Sequence, residues 1–313
     1  MNSNPKILVF ATKGTNTNDE SRILSLLDGF EIDRFGFDAQ SKLSSFWLLI
    51  KHAAKNRPSL IAMEGTGVAG GFACLLLQWF LHIPYIVSSG DAVAPYVAMR
   101  FNGILGYIAQ IYEQMLCRFC AGFIGWTPYL VGRALTFGAP RGMKAAGWSL
   151  KKYDANLRAK DCSFTRERLG IPADAIVYGI VGSLDWVNKI QYCYGAELVR
   201  ARQKISPSAP VYIIIVGDGT GTPELQRLAG DLLGNKIILT GNIPNDRVFE
   251  YLAAMDVASL PQSVDGVGSF RYTTKVSEYL ATELPIVIGQ IPMTYDLLAD
   301  WCWCLPEIGR AHV

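Results

Sequence analysis

Tyr272-Thr-Thr-Lys275-Val-Ser-Glu278-Tyr-Leu-Ala-Thr-Glu-Leu-Pro285-Ile-Val-Ile288 joins a short helical pattern directly to an apolar strand. Lys275, Glu278 and Thr282 stand three and four residues apart and so share a helical face, with Val276 and Leu280 forming the apolar side. Thr274 is the expected cap, and the free backbone donors of that helix start form a natural anion site. A cation beside such a helix end suits a diphosphate. A carboxylate one turn later can accept two hydrogen bonds from a ribose diol, so the two side chains together would hold a nucleotide from both ends.

Outward from this stretch the chain alternates apolar strands with helical patterns. Ile7–Phe10, Ser59–Met63, Pro84–Ser88 and Gly122–Trp126 read as strands in the first half, with helices at Ser21–Leu27, Phe46–Ala54, Ala69–Leu81, Ile104–Cys120 and Pro128–Ala134. A polar connection follows Trp148, spanning Lys151 to Lys160. Strands at Ala175–Val181, Val211–Val216, Ile237–Thr240, Val257–Leu260 and Pro285–Gly289 then alternate with helices at Ile190–Gln203, Thr222–Leu233 and Asp246–Ala254. Such alternation predicts parallel βαβ units covered on both sheet faces, hence an α/β protein of two doubly wound, Rossmann-like domains. The expected bounds are 1–150 and 151–306, with ligands at the carboxyl ends of the strands and in the cleft between the domains.

The chain's 313 residues, half of them apolar, suffice for two cores. Its 29 basic and 27 acidic side chains form no dense run, which argues against a nucleic-acid partner. Seven cysteines in so large a chain fit a reducing, cytoplasmic setting better than a disulfide framework. Cys117-x-x-Cys120 has no second pair or histidine at ligand spacing and reads as core, so no metal is expected. Neither Phe72–Val87 nor Phe101–Trp126 offers the ~20 mostly apolar residues of a membrane span. The second stretch could nevertheless be amphipathic and lie on a bilayer, or simply pack in the core. Glu307–Val313 reads either as one frame of a common sequencing-library adapter or as a polar tail; on the first reading the native chain continues past about Pro306.

Several loops carry candidate chemistry, each with a plain structural alternative. Val216-Gly217-Asp218-Gly219 follows a strand and precedes a helix, serving either as a tight turn or as backbone that approaches a ligand closely. It lacks the third glycine of a dinucleotide fingerprint, which disfavours NAD. Gly182-Ser183 also closes a strand, and Lys189 a few residues on is either solvated or a point charge on a diphosphate. Asp265 is either a turn residue or a sugar contact, and Arg271 either a solvated cation or a charge beside a pyrophosphate. In the first half, Thr12-Lys-Gly14 begins a polar loop on the expected cleft side. Asp91, closing a strand after Ser88-Ser-Gly90, is a turn residue or a group that orients a hydroxyl.

The block from Lys275 to Pro285 resembles the K-x-x-E-Y-[LM]-A-x-x-x-P-V-V motif of family 4 glycosyltransferases, of the GT-B class. Gly182, Val216-Gly-Asp-Gly219 and Thr240-Gly241-Asn242-Ile243 precede it in the family's order, and the similarity is strongest from about Ile176 to Pro285. The resemblance implies a retaining glycosyltransferase with an acceptor domain followed by a donor domain. The donor nucleotide-sugar would be held by Glu278 on the ribose, Lys275 and Lys189 on the diphosphate, Gly182, Ser183, Gly217 and Gly219 close to it, Ile243 near the base, and Arg271 and Asp265 nearby. Gly14 would meet the acceptor, and Lys275 and Asp91 are the catalytic candidates. No cofactor or metal is implied, since the nucleotide-sugar is a substrate. A sugar, polysaccharide or lipid-linked acceptor is the expected partner, with peripheral contact at the inner face of a membrane. The sequence departs from the family at Ser183, where an arginine is usual, at Phe270, where an acid is usual, and near Asp91, where a histidine is usual. Those departures keep open a catalytically lapsed partner subunit, and the shared fold keeps open a nucleotide-sugar epimerase.

Overall fold

The structure is a computed structural model that describes residues 6–147, 154–187, 191–262, 268–269, 271–298, 300 and 302–305. Contacts divide it into two compact units. The first runs to Gly147 and also takes in Arg271 and Tyr272, while the second holds the remainder.

In the first unit, β1 (Lys6–Ala11), β2 (Glu31–Arg34), β3 (Leu60–Glu64), β4 (Tyr85–Ser89), β5 (Gly122–Gly125) and β6 (Gly142–Lys144) make one sheet in the order β2-β1-β3-β4-β5-β6. Every pairing in it is parallel. Its helices are α1 (Asn18–Leu26), α2 (Lys42–Asn56), α3 (Val68–Leu81), α4 (Val93–Arg100), α5 (Gly103–Arg118) and α6 (Pro128–Thr136). Because right-handed crossovers fix the side on which each helix lands, the reversal of direction after β2 places α1 on one face and the later helices on the other. Leu8, Val9, Phe10, Ile61, Ala62 and Met63 are fully buried, as strands covered on both faces require.

The second unit repeats the plan. Its strands β7 (Ile176–Val181), β8 (Val211–Val216), β9 (Ile237–Leu239), β10 (Val257–Leu260), β11 (Ile286–Gly289) and β12 (Cys302–Leu305) stand in the order β12-β11-β10-β7-β8-β9, again all parallel. The helices are α7 (Ala155–Arg168), α8 (Ala196–Gln203), α9 (Thr222–Ala229), α10 (Val248–Ala253), α11 (Thr274–Ala281) and α12 (Pro292–Leu297). No helix among the described residues is long and apolar enough to cross a membrane.

Several elements depart from the sequence reading. The span read as a polar connection contains the start of α7, a helix that buries only Thr165 and Arg166 and so shows no apolar period. Arg166 anchors it by donating to the carbonyls of Ala173, Ala175 and Ala254 and pairing with Asp256 at 2.8 Å. The helix expected from Ile190 begins at Ala196, after a turn in which Glu197 accepts from Gly195 N–H and Tyr192 O–H. The helix expected to reach Leu233 ends at Ala229 and passes into a 3₁₀ turn. The helix expected from Asp246 likewise opens with a 3₁₀ turn, Asn245–Arg247. Helices α4 and α12 and strands β2, β6 and β12 were not expected. Four of these five have six residues or fewer, and Glu31-Ile-Asp-Arg34 is too polar to read as a strand.

Candidate functional site

In the second unit the strand order reverses direction between β7 and β10, and ligands of doubly wound sheets bind outside the carboxyl ends at such a reversal. The paired register of β10 on β7 is Val257 with Tyr178 and Ala258 with Gly179. One step further along, the buried hydroxyl of Tyr279 bridges the two strands, accepting from Val181 N–H at 3.3 Å and donating to Ser259 C=O at 3.3 Å. That bridge fixes α11 over the opening and with it Lys275 and Glu278.

The loops beyond β7, β8 and β9 are tied into one platform. Gly182 N–H donates to Val216 C=O, Leu184 N–H to Asp218 C=O, Gly221 N–H to Leu184 C=O and Gly217 N–H to Gly241 C=O, at 2.8–3.1 Å. Gly182 and Gly217 have φ of 154° and 132°, and a methyl group at Gly217 would collide with the carbonyl oxygen of Gly182. A methyl group at Gly182 would collide with Nζ and Cε of Lys275. Packing of loop on loop is therefore sufficient reason for these glycines, and the Lys275 ammonium lies directly on the backbone of the β7 loop. On its other side it stands 3.7 Å from the ring centroid of Tyr194, a close cation–π contact.

Glu278 follows one turn after Lys275. No side-chain hydrogen bond reaches its carboxylate among the described residues, and burial raises its pKa above the usual range while Lys275 pulls the other way. An acceptor group thus stands beside a cation at the strand ends, which suits it to polar hydrogens of a ligand. Two local expectations are corrected. The helix is preceded by Thr273 rather than capped by Thr274, and Thr273 makes no side-chain cap; its carbonyl takes the N–H of Val276. Thr282 ends the helix as a buried residue whose hydroxyl donates to the carbonyls of Glu278 and Tyr279, so it leaves the Lys275–Glu278 face. The buried side is Val276, Ser277 and Tyr279, whereas Leu280 is 41% exposed.

Ser183 donates to Asp185 at 2.7 Å, which places a carboxylate beside the loop at the position where the resemblance implied an arginine. Ile243 follows Gly241 in the loop after β9. Lys189 and Asp265 lie outside the described residues. Sequence reasoning missed Glu197, which is half-buried on α8 and accepts from Tyr192, Gly195 and Ser259. Burial raises its pKa, and these contacts place it beside the Tyr194 turn. Its only sequence signal was an acid next to Gly195-Ala196.

The first unit has its reversal between β1 and β3. Gly14, at φ 104°, is buried in the turn after β1 and accepts from the Thr17 hydroxyl. Asp91, after β4, pairs with Arg271 at 3.1 Å, both about half exposed. Arg271 is thereby placed with the first unit, although the sequence reading set it among the donor residues. Beneath this surface lies a charged cluster the sequence reading did not name. Buried Arg22 donates to Glu64 and Ser88 at 2.8 Å and to the carbonyl of Ala145, and it covers the ring of Trp126. Trp126 in turn donates to Glu64 at 3.1 Å. The available signal was a carboxylate ending the apolar run Leu60-Ile-Ala-Met63.

Residues 175–301 match the family of glycosyl transferases group 1. Apart from Arg271 and Tyr272, the described residues of that match lie in the second unit. A Bacillus subtilis (strain 168) protein named as the teichuronic acid biosynthesis glycosyltransferase TuaC is 30% identical over 145 residues, and the match covers 46% of this chain and 32% of that relative. Among solved structures, Anabaena HepE in complex with UDP and glucose aligns with a TM-score of 0.67 at 15% identity, over 97% of this chain and 87% of the other. WaaG, a glycosyltransferase of lipopolysaccharide biosynthesis, aligns with a TM-score of 0.63 at 13% identity, over 98% of this chain and 89% of the other. A UDP-GlcNAc 2-epimerase from Methanocaldococcus jannaschii aligns at 0.57 and 10% identity, over 98% of this chain and 91% of the other. At these identities the likeness shows the fold, which is GT-B.

Proposed function

We propose that this chain is a retaining glycosyltransferase that moves a sugar from a nucleotide-sugar to an acceptor hydroxyl, in polysaccharide or glycolipid assembly at the inner face of a membrane. The observation that carries the reading is the Lys275 ammonium lying on the Gly182 backbone with Glu278 one turn behind it. Lys275 binds the diphosphate and stabilises the charge that develops as it leaves, and Glu278 takes the ribose diol. A preorganised donor of this kind accelerates such chemistry by about a hundredfold to a thousandfold. The leaving phosphate itself removes the acceptor proton, so attack comes from the face the nucleotide vacates and configuration is retained. Gly182, Ser183, Gly217, Gly219 and Ile243 line the donor, with Lys189 and Asp265 assigned to its diphosphate and sugar. Gly14 and Asp91 serve the acceptor, and Arg271 holds Asp91. The UDP and glucose named with HepE, and the teichuronic acid named with TuaC, support a nucleoside-diphosphate sugar and a polymer product.

The test is calorimetric titration with UDP- and ADP-sugars. Glu278→Ala should weaken donor binding about tenfold to a hundredfold, the worth of hydrogen bonds to a charged group. Unchanged affinity removes the assignment. Transfer should persist in chelator, since no metal enters the scheme; turnover lost in chelator and restored by magnesium refutes that part. A new epimer formed from the donor without acceptor would establish an epimerase instead.

A further inference from the structure

Lys275 is held on two sides by groups of the second unit. Its ammonium covers the backbone of Gly182, where a methyl group would collide with Nζ and Cε, and it stands 3.7 Å from the centroid of the Tyr194 ring. A lysine stem is flexible, so an ammonium fixed in this way has already given up freedom that a bound anion would otherwise take from it. The position of the ring thus bears on anion binding.

Glu197 is what fixes the ring. Tyr194 stands in the short turn between the pairing of Val187 with Tyr192 and the start of α8. From the first turn of α8, one carboxylate oxygen of Glu197 accepts from Tyr192 O–H at 2.8 Å and from Gly195 N–H at 3.1 Å, so it grips the chain on both sides of Tyr194. The other oxygen accepts from the Ser259 hydroxyl at 3.2 Å. Ser259 lies on β10, and its carbonyl takes the Tyr279 hydroxyl that fastens α11. One carboxylate therefore ties the turn that bears Tyr194 to the strand that holds the helix of Lys275.

We infer that Glu197 is a positioning residue of the donor site: it fixes the Tyr194 ring, and the ring seats the Lys275 ammonium where a diphosphate binds. The inference rests on the proposed role of Lys275 and adds two residues to it.

The experiment has two readouts. In the ligand-free chain with isotope-labelled methyl groups on its lysines, a ring this close shifts the Lys275 methyl signal upfield, and Lys275→Arg identifies the signal by its loss. That signal should move to the position of exposed lysines in Tyr194→Leu and in Glu197→Ala. It should stay in Glu197→Gln, whose amide oxygen still accepts from Tyr192 and Gly195 while its nitrogen donates to the Ser259 oxygen. Calorimetric titration with UDP is the second readout. Affinity should fall about twofold to tenfold in Tyr194→Leu and in Glu197→Ala, the cost of ordering one long side chain on binding, and Glu197→Gln should restore it. In a Lys275→Met background, Tyr194→Leu should cost nothing further, whereas a defect of folding alone would weaken binding in either background. An unmoved signal in Tyr194→Leu and Glu197→Ala, parent affinity in both, or an equal loss in the Lys275→Met background overturns the inference. A parent that binds no UDP, or a Lys275→Met variant with parent affinity, refutes the donor reading instead and the use of the seat with it; the methyl signal then decides the seating alone.

Discussion

Glu278 is pushed in two directions by its surroundings, and in the proposed role that balance should make donor binding sensitive to pH. Burial raises its pKa above the ordinary 4.5 and Lys275 opposes this. A carboxyl group whose folded pKa is raised favours folding below its unfolded value and loses that contribution as pH rises through the folded one. Ribose hydroxyls act in reverse, because they donate to the ionised form. Donor affinity should therefore climb as pH rises from 4.5 through the raised value and then level off, with proton release on binding below the plateau. Calorimetry in buffers of different ionisation enthalpy measures both, and a flat affinity profile in the parent would contradict the role. Lys275 and Glu278 were legible in the sequence because helical spacing alone places i and i+3 together. Glu64 was not, because its partner Arg22 lies 42 residues away, and of the three donors to Glu197 the turn residues Tyr192 and Gly195 are local but Ser259 lies 62 residues away.

At the scale of elements, α11 is held by one hydroxyl at the point where two strands part. Tyr279→Phe leaves Val181 N–H and Ser259 C=O without that partner in a buried place. The expected loss is about 1–3 kcal/mol, the cost of stranding buried polar groups, read by denaturant unfolding. Nucleotide affinity should fall with it, because the same bridge sets the position of Lys275; a stable variant with unaltered affinity would show that packing alone seats the helix. The long apolar runs, such as Val211–Val216, could be read as strands from their residues. Helix α7 and strand β2 could not, because polar sequences acquire those shapes only from what they rest on: Arg166 reaches three carbonyls, and Glu31–Arg34 lies along β1.

Across the whole molecule, each unit has its own sheet and core; the second places Lys275 and Glu278 at its strand reversal, while the first has Gly14 beside its reversal and Asp91 after β4. The first unit additionally encloses an ion pair, Arg22 with Glu64, held by Ser88 and Trp126. Arg22→Ala should destabilise that unit by about 3–5 kcal/mol, since it leaves a carboxylate buried without its cation. The paired change Arg22→Met/Glu64→Leu should restore much of the loss, because neither charge is then left alone. Thermal unfolding measures both, and the proposed UDP binding by the second unit should be unaffected; a single variant as stable as the parent would show that the pair carries no such weight.

The sequence by itself determined the alternation of strands and helices, the resemblance of its second half to group 1 glycosyltransferases and the Lys275–Glu278 spacing, because each depends on neighbours within a few residues or on a motif of fixed spacing. Only the tertiary structure decided the strand order, the resting of Lys275 on Gly182, the Tyr279 bridge and the Arg22–Glu64 cluster. These join residues far apart in the chain, and the free energy that selects them comes from burial and hydrogen bonding that exist only once both sheets have formed.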